Sequence, residues 1–185
     1  MAGLRPIGTL SGAPWTSKVR RYKKEASVIL GMYDPVILTG TSTADGVALV
    51  DRATAGSLIV GSVVGFDPVL SDLSKAGYAA ADTGFVYVVD DPDTLFAVEE
   101  DGDTTPIAIT AVGEFCDLAT VGDANAYYVS TVQLDSSNAA TGDQMRIMEL
   151  YQQVGNAVMA STASPKGVWV CMINEHCYRA VQTPT

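Results

Sequence analysis

The residues that could do covalent chemistry are few. One histidine, His176, sits in Asn174-Glu175-His176-Cys177, and three cysteines are present, Cys116, Cys171 and Cys177. A cysteine nucleophile needs a base within hydrogen-bond reach. On an extended segment, His176 and Cys177 leave opposite faces and do not pair directly. Nothing marks Cys116 or Cys171 as a nucleophile, so a structural or exposed histidine is expected and no catalytic residue is assigned. Cys171 and Cys177 are about 20 Å apart at strand rise, too far for a disulfide. All three thiols read as reduced and mostly buried, consistent with synthesis in the cytoplasm. Zinc takes three or four protein ligands, and one histidine with three scattered cysteines does not supply them.

Two acidic clusters, Asp90/Asp91/Asp93 and Glu99/Glu100/Asp101/Asp103, could hold calcium or act as paired carboxylates. Neither follows the alternating-acid loop with a glycine and a distal glutamate that calcium prefers. Both fall where turns are expected, and Asp in turns caps nearby amides, so solvated turns are the expectation. No glycine-rich phosphate loop, dinucleotide fingerprint or nucleophile elbow occurs. No metal site and no cofactor is expected.

Charge is distributed unevenly. Residues 1–24 hold six of the eleven basic residues and no acid, while the rest of the chain sets five basic residues against 21 acids, for a net charge of −10. The breakers in Leu4-Arg5-Pro6-Ile7-Gly8 and Ser11-Gly12-Ala13-Pro14-Trp15 disfavour helix. Residues 1–26 are therefore expected to form an extended basic arm on a body spanning 27–185. In that arm Arg5, Lys18, Arg20, Arg21, Lys23 and Lys24 would meet an acidic protein surface, with Trp15 and Tyr22 as anchors. Nucleic acid is a poor fit, because phosphate binding needs a positive surface. No apolar run approaches the ~20 residues of a membrane span, and no apolar signal-peptide region follows the basic start.

The body must then position these groups with β-structure. Ser27–Leu30, Pro35–Thr39, Gly46–Val50, Ser57–Phe66, Phe85–Val89, Thr94–Val98, Ile107–Thr110, Glu114–Leu118, Ala126–Leu134 and Val168–Ile173 are β-branched or apolar runs between turn signals. The last run continues towards Tyr178. Asp72–Ala81 is expected as a surface loop or one short helix, Asp135–Gly142 as a polar loop. Gln144–Val154 fits the strand period slightly better than the helical one. Phe85–Val89 and Val168–Ile173 are apolar on both parities and need cover on both faces. Roughly ten short strands predict an all-β sandwich or barrel-like body. Cover supplied by neighbouring copies predicts a small homo-oligomer, a trimer in preference to a dimer.

Several segments in order carry a resemblance. They are Leu4-Arg5-Pro6 with Gly12-Ala13-Pro14-Trp15, Tyr33-Asp34-Pro35-Val36, Gly61-Ser62-Val63-Val64-Gly65-Phe66, Gly84 to Pro92, and Val170 to Tyr178. Together they resemble the capsid decoration, or cement, proteins of tailed bacteriophages. The resemblance implies a non-enzymatic virion protein on the outer surface of the capsid, with a β-rich body, extended arms and the major capsid protein as partner. It carries no catalytic residues. The connection after Asp34-Pro35-Val36 looks short for a displayed loop. Other readings are a tail-tube or head-fibre subunit, or a β-sandwich carbohydrate-binding module, for which Trp15 and Trp169 are the tryptophans on offer.

Overall fold

A computed structural model of the chain describes residues 2–70, 72–103, 105–119, 122–138, 144–152, 156 and 166–179. The strands in chain order are β1 (Arg5–Thr9), β2 (Val19–Lys24), β3 (Pro35–Ser42), β4 (Ala48–Arg52), β5 (Gly61–Phe66), β6 (Phe85–Val89), β7 (Thr94–Glu99), β8 (Phe115–Cys116), β9 (Leu118–Ala119), β10 (Gln133–Leu134), β11 (Met145–Leu150) and β12 (Val168–Ile173). Short 3-10 turns at Trp15–Ser17, Ile109–Ala111 and Ser136–Asn138 are the helical elements among the described residues. The fold is all-β. No helix among the described residues is long and apolar enough to cross a membrane.

Two hydrophobic centres organise the strands. Strands β2, β4, β3, β5 and β6 close into a small barrel, in that order. Its interior holds Tyr22, Val36, Val50, Val63, Tyr78, Val86 and Val88. Beside it lies a five-stranded sheet in the order β1-β7-β12-β11-β8. This second core is built on Phe96, Val98, Met145, Ile147, Trp169, Cys171 and Ile173. Every residue of β12 is buried, so its cover on both faces comes from within the chain. In β6, by contrast, Tyr87 faces solvent and Phe85 is half-buried while Val86, Val88 and Val89 are buried, so the first part of this strand is open on one face.

The segments that lead into the strands weld the two centres together. The Ser62 hydroxyl donates to the Leu4 carbonyl at 2.6 Å, and the Leu4 amide donates to the Tyr33 carbonyl at 2.9 Å. Ile59 bridges to His176, and the Gln144 side-chain amide donates to the carbonyls of Thr54 and Ser57. Gly3, at φ +84°, sits where a Cβ would lie 2.7 Å from that of Tyr33, so only glycine fits this crossing.

The expected boundary at residue 26 does not hold. β1 pairs with β7 along the edge of the sheet, and β2 pairs with β6 from Val19↔Val89 to Lys23↔Phe85. The basic segment is two strands of the body, not an arm. Pro6 is tolerated because β1 is an edge strand with a bulge between Pro6 and Gly8. Other expectations also shift. Ser27–Leu30 contributes a single bridge, Leu30↔Tyr78, because Ser27 turns the chain at φ 62°. Ile107–Thr110 ends in a 3-10 turn, Ala126–Leu134 keeps β10 and a single bridge from Val129 to Met32, and the 72–81 excursion forms turns without a helix. The expected extension of β11 to Val154 and the residues from 139 to 142 lie outside the described residues.

Asp34 anchors the turn into β3. Its Oδ2 accepts the Gly31 amide at 2.7 Å, and its side chain is fully buried. Burial lifts the carboxyl to about 6. A folded-state value above the unfolded one means that Asp34 favours the fold at low pH. That contribution is complete below about pH 4 and is lost as pH rises through about 6. A carboxamide at this position stays neutral throughout. Asp34→Asn should therefore gain stability relative to the native protein between pH 4 and pH 7, by on the order of 3 kcal/mol. Urea unfolding at both pH values measures this, and an unchanged difference would contradict it. Deleting residues 1–24 should abolish the cooperative thermal transition seen by circular dichroism, because it opens the barrel and strips the sheet edge. A truncated chain that still melts cooperatively would contradict the topology.

Candidate interaction surface

The basic residues of the N-terminal strands are largely paired with acids of the same molecule. Lys18 Nζ lies 2.9 Å from Asp91, Arg20 Nε 3.1 Å from Asp90, and Arg21 3.4 Å from Asp67. Asp90 and Asp91 follow β6, the strand against which β2 lies, and Asp67 follows β5 beside the start of β6, its amide donating to the Phe85 carbonyl. The acidic turn Asp90-Asp91-Pro92-Asp93 is thus the counterpart of the basic strand, and Asp93 takes Arg179 at 3.2 Å. Asp90 is buried rather than solvated, as is Glu100, whose carboxylate accepts the amides of Ile107 and Gly167. Both acids correct the expectation of solvated turns. Glu100 satisfies two backbone amides, and Asp90 takes the Tyr22 hydroxyl and the Arg20 guanidinium.

The two expected anchors behave differently. Tyr22 points into the barrel, 4% exposed, and donates to Asp90 Oδ2 at 2.6 Å. Its proton is committed there, so the Tyr178 hydroxyl donates to Tyr22 at 3.1 Å. Burial drives the Tyr22 phenol well above its ordinary range and keeps that proton in place. Tyr22 is a core residue and is unavailable to a partner. Trp15 is half-buried at the start of a 3-10 turn, where its carbonyl accepts the Lys18 amide. Lys24, 4% exposed, donates to the carbonyls of Glu25 and Ala80, and desolvation lowers its pKa. Arg5 lies over the Tyr33 ring, 4.7 Å from its centroid. Lys23 stacks on Phe85 at 4.8 Å and has no acidic partner among the described residues.

Of the groups with potential for catalysis, His176, Cys116 and Cys171 are locked into the core. His176 is buried, and its Nδ1 accepts the Tyr178 amide at 3.1 Å, which places the ring proton on Nε2. Desolvation lowers its pKa and holds it neutral. Burial pushes the thiols of Cys116 and Cys171 far above the range of a working nucleophile, and that of half-buried Cys177 to about 11. No group of three or more metal-ligating side chains forms among the described residues. A cleft of about 400 Å³ opens beside Lys18, Arg20, Asp90, Asp91 and Tyr178, but its charges are already paired with one another.

The surface feature that sequence patterning missed lies at another end of the molecule. Leu70 is 92% exposed, Leu73 75% and Tyr127 81%. The first two sit on the β5–β6 connection and the third on the loop before β10. The two loops are pressed together where Gly77 and Gly31 approach Tyr128; a Cβ on Gly77 would lie 2.5 Å from the Tyr128 Cβ. The β5–β6 connection is also fastened across its own base. The Tyr78 hydroxyl lies 2.8 Å from the Asp67 carbonyl, and the Tyr78 ring meets Phe66 edge-on at 5.1 Å. Lys75 donates to both oxygens of Asp82, whose Oδ2 also accepts the Ala79 amide. These exposed apolar side chains are carried on a braced support. Leu70 and Leu73 stand in a stretch without period, so nothing in the sequence distinguished them from loop residues turned inward.

Tyr22→Phe should destabilise the protein by about 1–2 kcal/mol, since it removes the buried hydrogen bond to Asp90. Lys18→Ala should cost less than about 1 kcal/mol, as an exposed pair does. Urea denaturation compares the two, and equal effects would contradict the assignment of Tyr22 to the core. Comparison of the chain with protein-family models, with curated proteins and with solved structures finds no match, so the functional reading rests on its own residues and their placement.

Proposed function

We propose that this chain is a non-enzymatic structural protein of a tailed-phage virion that decorates the outer surface of the capsid. The observation that carries the reading is the placement of Leu70, Leu73 and Tyr127. The most exposed large apolar side chains of the described residues are carried on two braced, adjoining loops, while His176, Cys116 and Cys171 are buried. Large exposed apolar side chains on a braced support mark protein interaction sites. The ordered resemblance to capsid decoration proteins supplies the kind of partner, the major capsid protein. The attachment device differs from the one first expected. The basic N-terminal residues hold the molecule together, and the apolar loops meet the shell.

Attachment as a small homo-oligomer, a trimer in preference to a dimer, would let modest contacts add up. Several copies engaged on neighbouring shell subunits raise the effective concentration of each contact. The body would bridge capsid subunits from outside without touching DNA, in keeping with its charge of −10. The carbohydrate-module reading loses one of its two tryptophans, because Trp169 is fully buried.

Co-sedimentation with empty shells of the parent phage tests the reading. The native protein should pellet with shells to saturation. The triple variant Leu70→Ser, Leu73→Ser, Tyr127→Ser should keep its fold and bind at least about tenfold more weakly, the loss expected when buried apolar contacts are removed from an interface centre. A native protein that stays in the supernatant would overturn the proposal.

A further inference from the structure

Beside the exposed loops, the outer face of the barrel carries a groove of about 570 Å³ between β2, the start of β6 and the β5–β6 connection. Its apolar wall is Pro68, Val69 and Leu70, and Phe85 and Lys23 form the opposite side. Two acids also line it, Asp67 and Asp82, but each is already matched. Asp67 takes Arg21 at 3.4 Å and the Tyr87 hydroxyl at 2.8 Å, and Asp82 takes Lys75 at 2.9 Å. Among the described residues Lys23 remains as the uncompensated charge of the groove. Its ammonium stands 4.8 Å from the Phe85 centroid, which fixes it at the edge of an apolar trough.

Resting on the reading of the chain as an attachment protein, we propose that this groove docks an acidic, apolar segment of the partner protein, its carboxylate on Lys23 and its apolar side chain against Val69 and Leu70. Charge complementarity selects the occupant. A local cation without an acid of its own, on a chain at −10, favours an acidic group at this place. Single-stranded nucleic acid fits less well, although the face is basic and aromatic. Arg21 lies 3.5 Å from the Phe85 centroid and occupies the face on which a base would stack, and the Tyr87 hydroxyl is tied to Asp67.

The test is a nuclear magnetic resonance titration of the full chain with a synthetic peptide of alternating Asp and Leu. Its Asn-for-Asp analogue and oligothymidine serve as the other probes. The acidic peptide should shift Lys23, Val69, Leu70 and Phe85 saturably while the signals of Trp169 in the core stay fixed. Lys23→Gln should weaken binding about threefold to fivefold, in the range of one exposed ion pair. Leu70→Ser should weaken it about tenfold, as expected for one lost apolar contact. Both side chains face outward, so both variants should keep the native spectrum. Equal binding of the Asn peptide, the same shifts with oligothymidine, or the same shifts on concentrating the protein alone would overturn the proposal, the last in favour of a second copy. Shell binding that persists when the peptide leaves these residues unmoved would reject the groove and keep the capsid reading. Peptide binding without shell binding would do the reverse.

Discussion

The structure depends on β2 closing the barrel. A five-stranded barrel has no spare strand, and β2 is the one that joins β4 on one side to β6 on the other, in parallel and antiparallel ladders respectively. Its sequence, Val-Arg-Arg-Tyr-Lys-Lys, is too charged to be held by burial alone. Tyr22 enters the core, Lys24 is buried against backbone carbonyls, and acids near the two ends of β6 take Arg20 and Arg21. Asp90 and Asp91 stand at one end and Asp67 at the other, each matched to a cation of β2 or of the turn leading into it. The buried part of that arrangement, Asp90 with Tyr22, carries the larger share of the energy, because exposed pairs such as that of Arg20 are worth ~0–1 kcal/mol each.

This closure redistributes the electrostatics of the whole chain. A basic segment that could have reached outward is consumed inward, and what remains on the surface is mostly acidic. Copies or partners that are themselves acidic are then repelled at most faces. The β5–β6 connection and the loop before β10 are different. Their charges are matched locally, as in Lys75 with Asp82, and their most exposed residues are apolar. The same barrel that needs β2 also fixes these loops, since Tyr78 fills the barrel core with its ring and spans the base of the connection with its hydroxyl. Stability and presentation of the apolar end share one side chain.

The all-β class was legible because Phe85–Val89, Thr94–Val98 and Val168–Ile173 are β-branched or aromatic and bounded by turn residues. β1 and β2 were not, for a physical reason. Pro6 and the glycines around it are compatible with an edge strand and a bulge, but in sequence they resemble a linker. Four charges in six residues look solvated until the acids facing them are known, and those acids are far away in the chain, Asp67 standing 46 residues from Arg21. The same long-range dependence turned Asp90 and Glu100 from solvated turn residues into buried tethers. Of the six basic residues assigned to the arm, Lys23 is the one that lies in an open groove without an acid of its own among the described residues. The apolar loop residues left no signal at all, because exposure of a leucine in an aperiodic stretch is set by how its loop is braced.

The central claim is that the N-terminal strands belong to the body and that the apolar loops face the shell. High-resolution electron cryo-microscopy of the decorated particle tests it most directly. The account predicts density for this chain on the outer surface, with Leu70, Leu73 and Tyr127 against the major capsid protein and β2 inside its own barrel. Density showing residues 1–24 drawn out across a neighbouring subunit, with those loops turned to solvent, would contradict it.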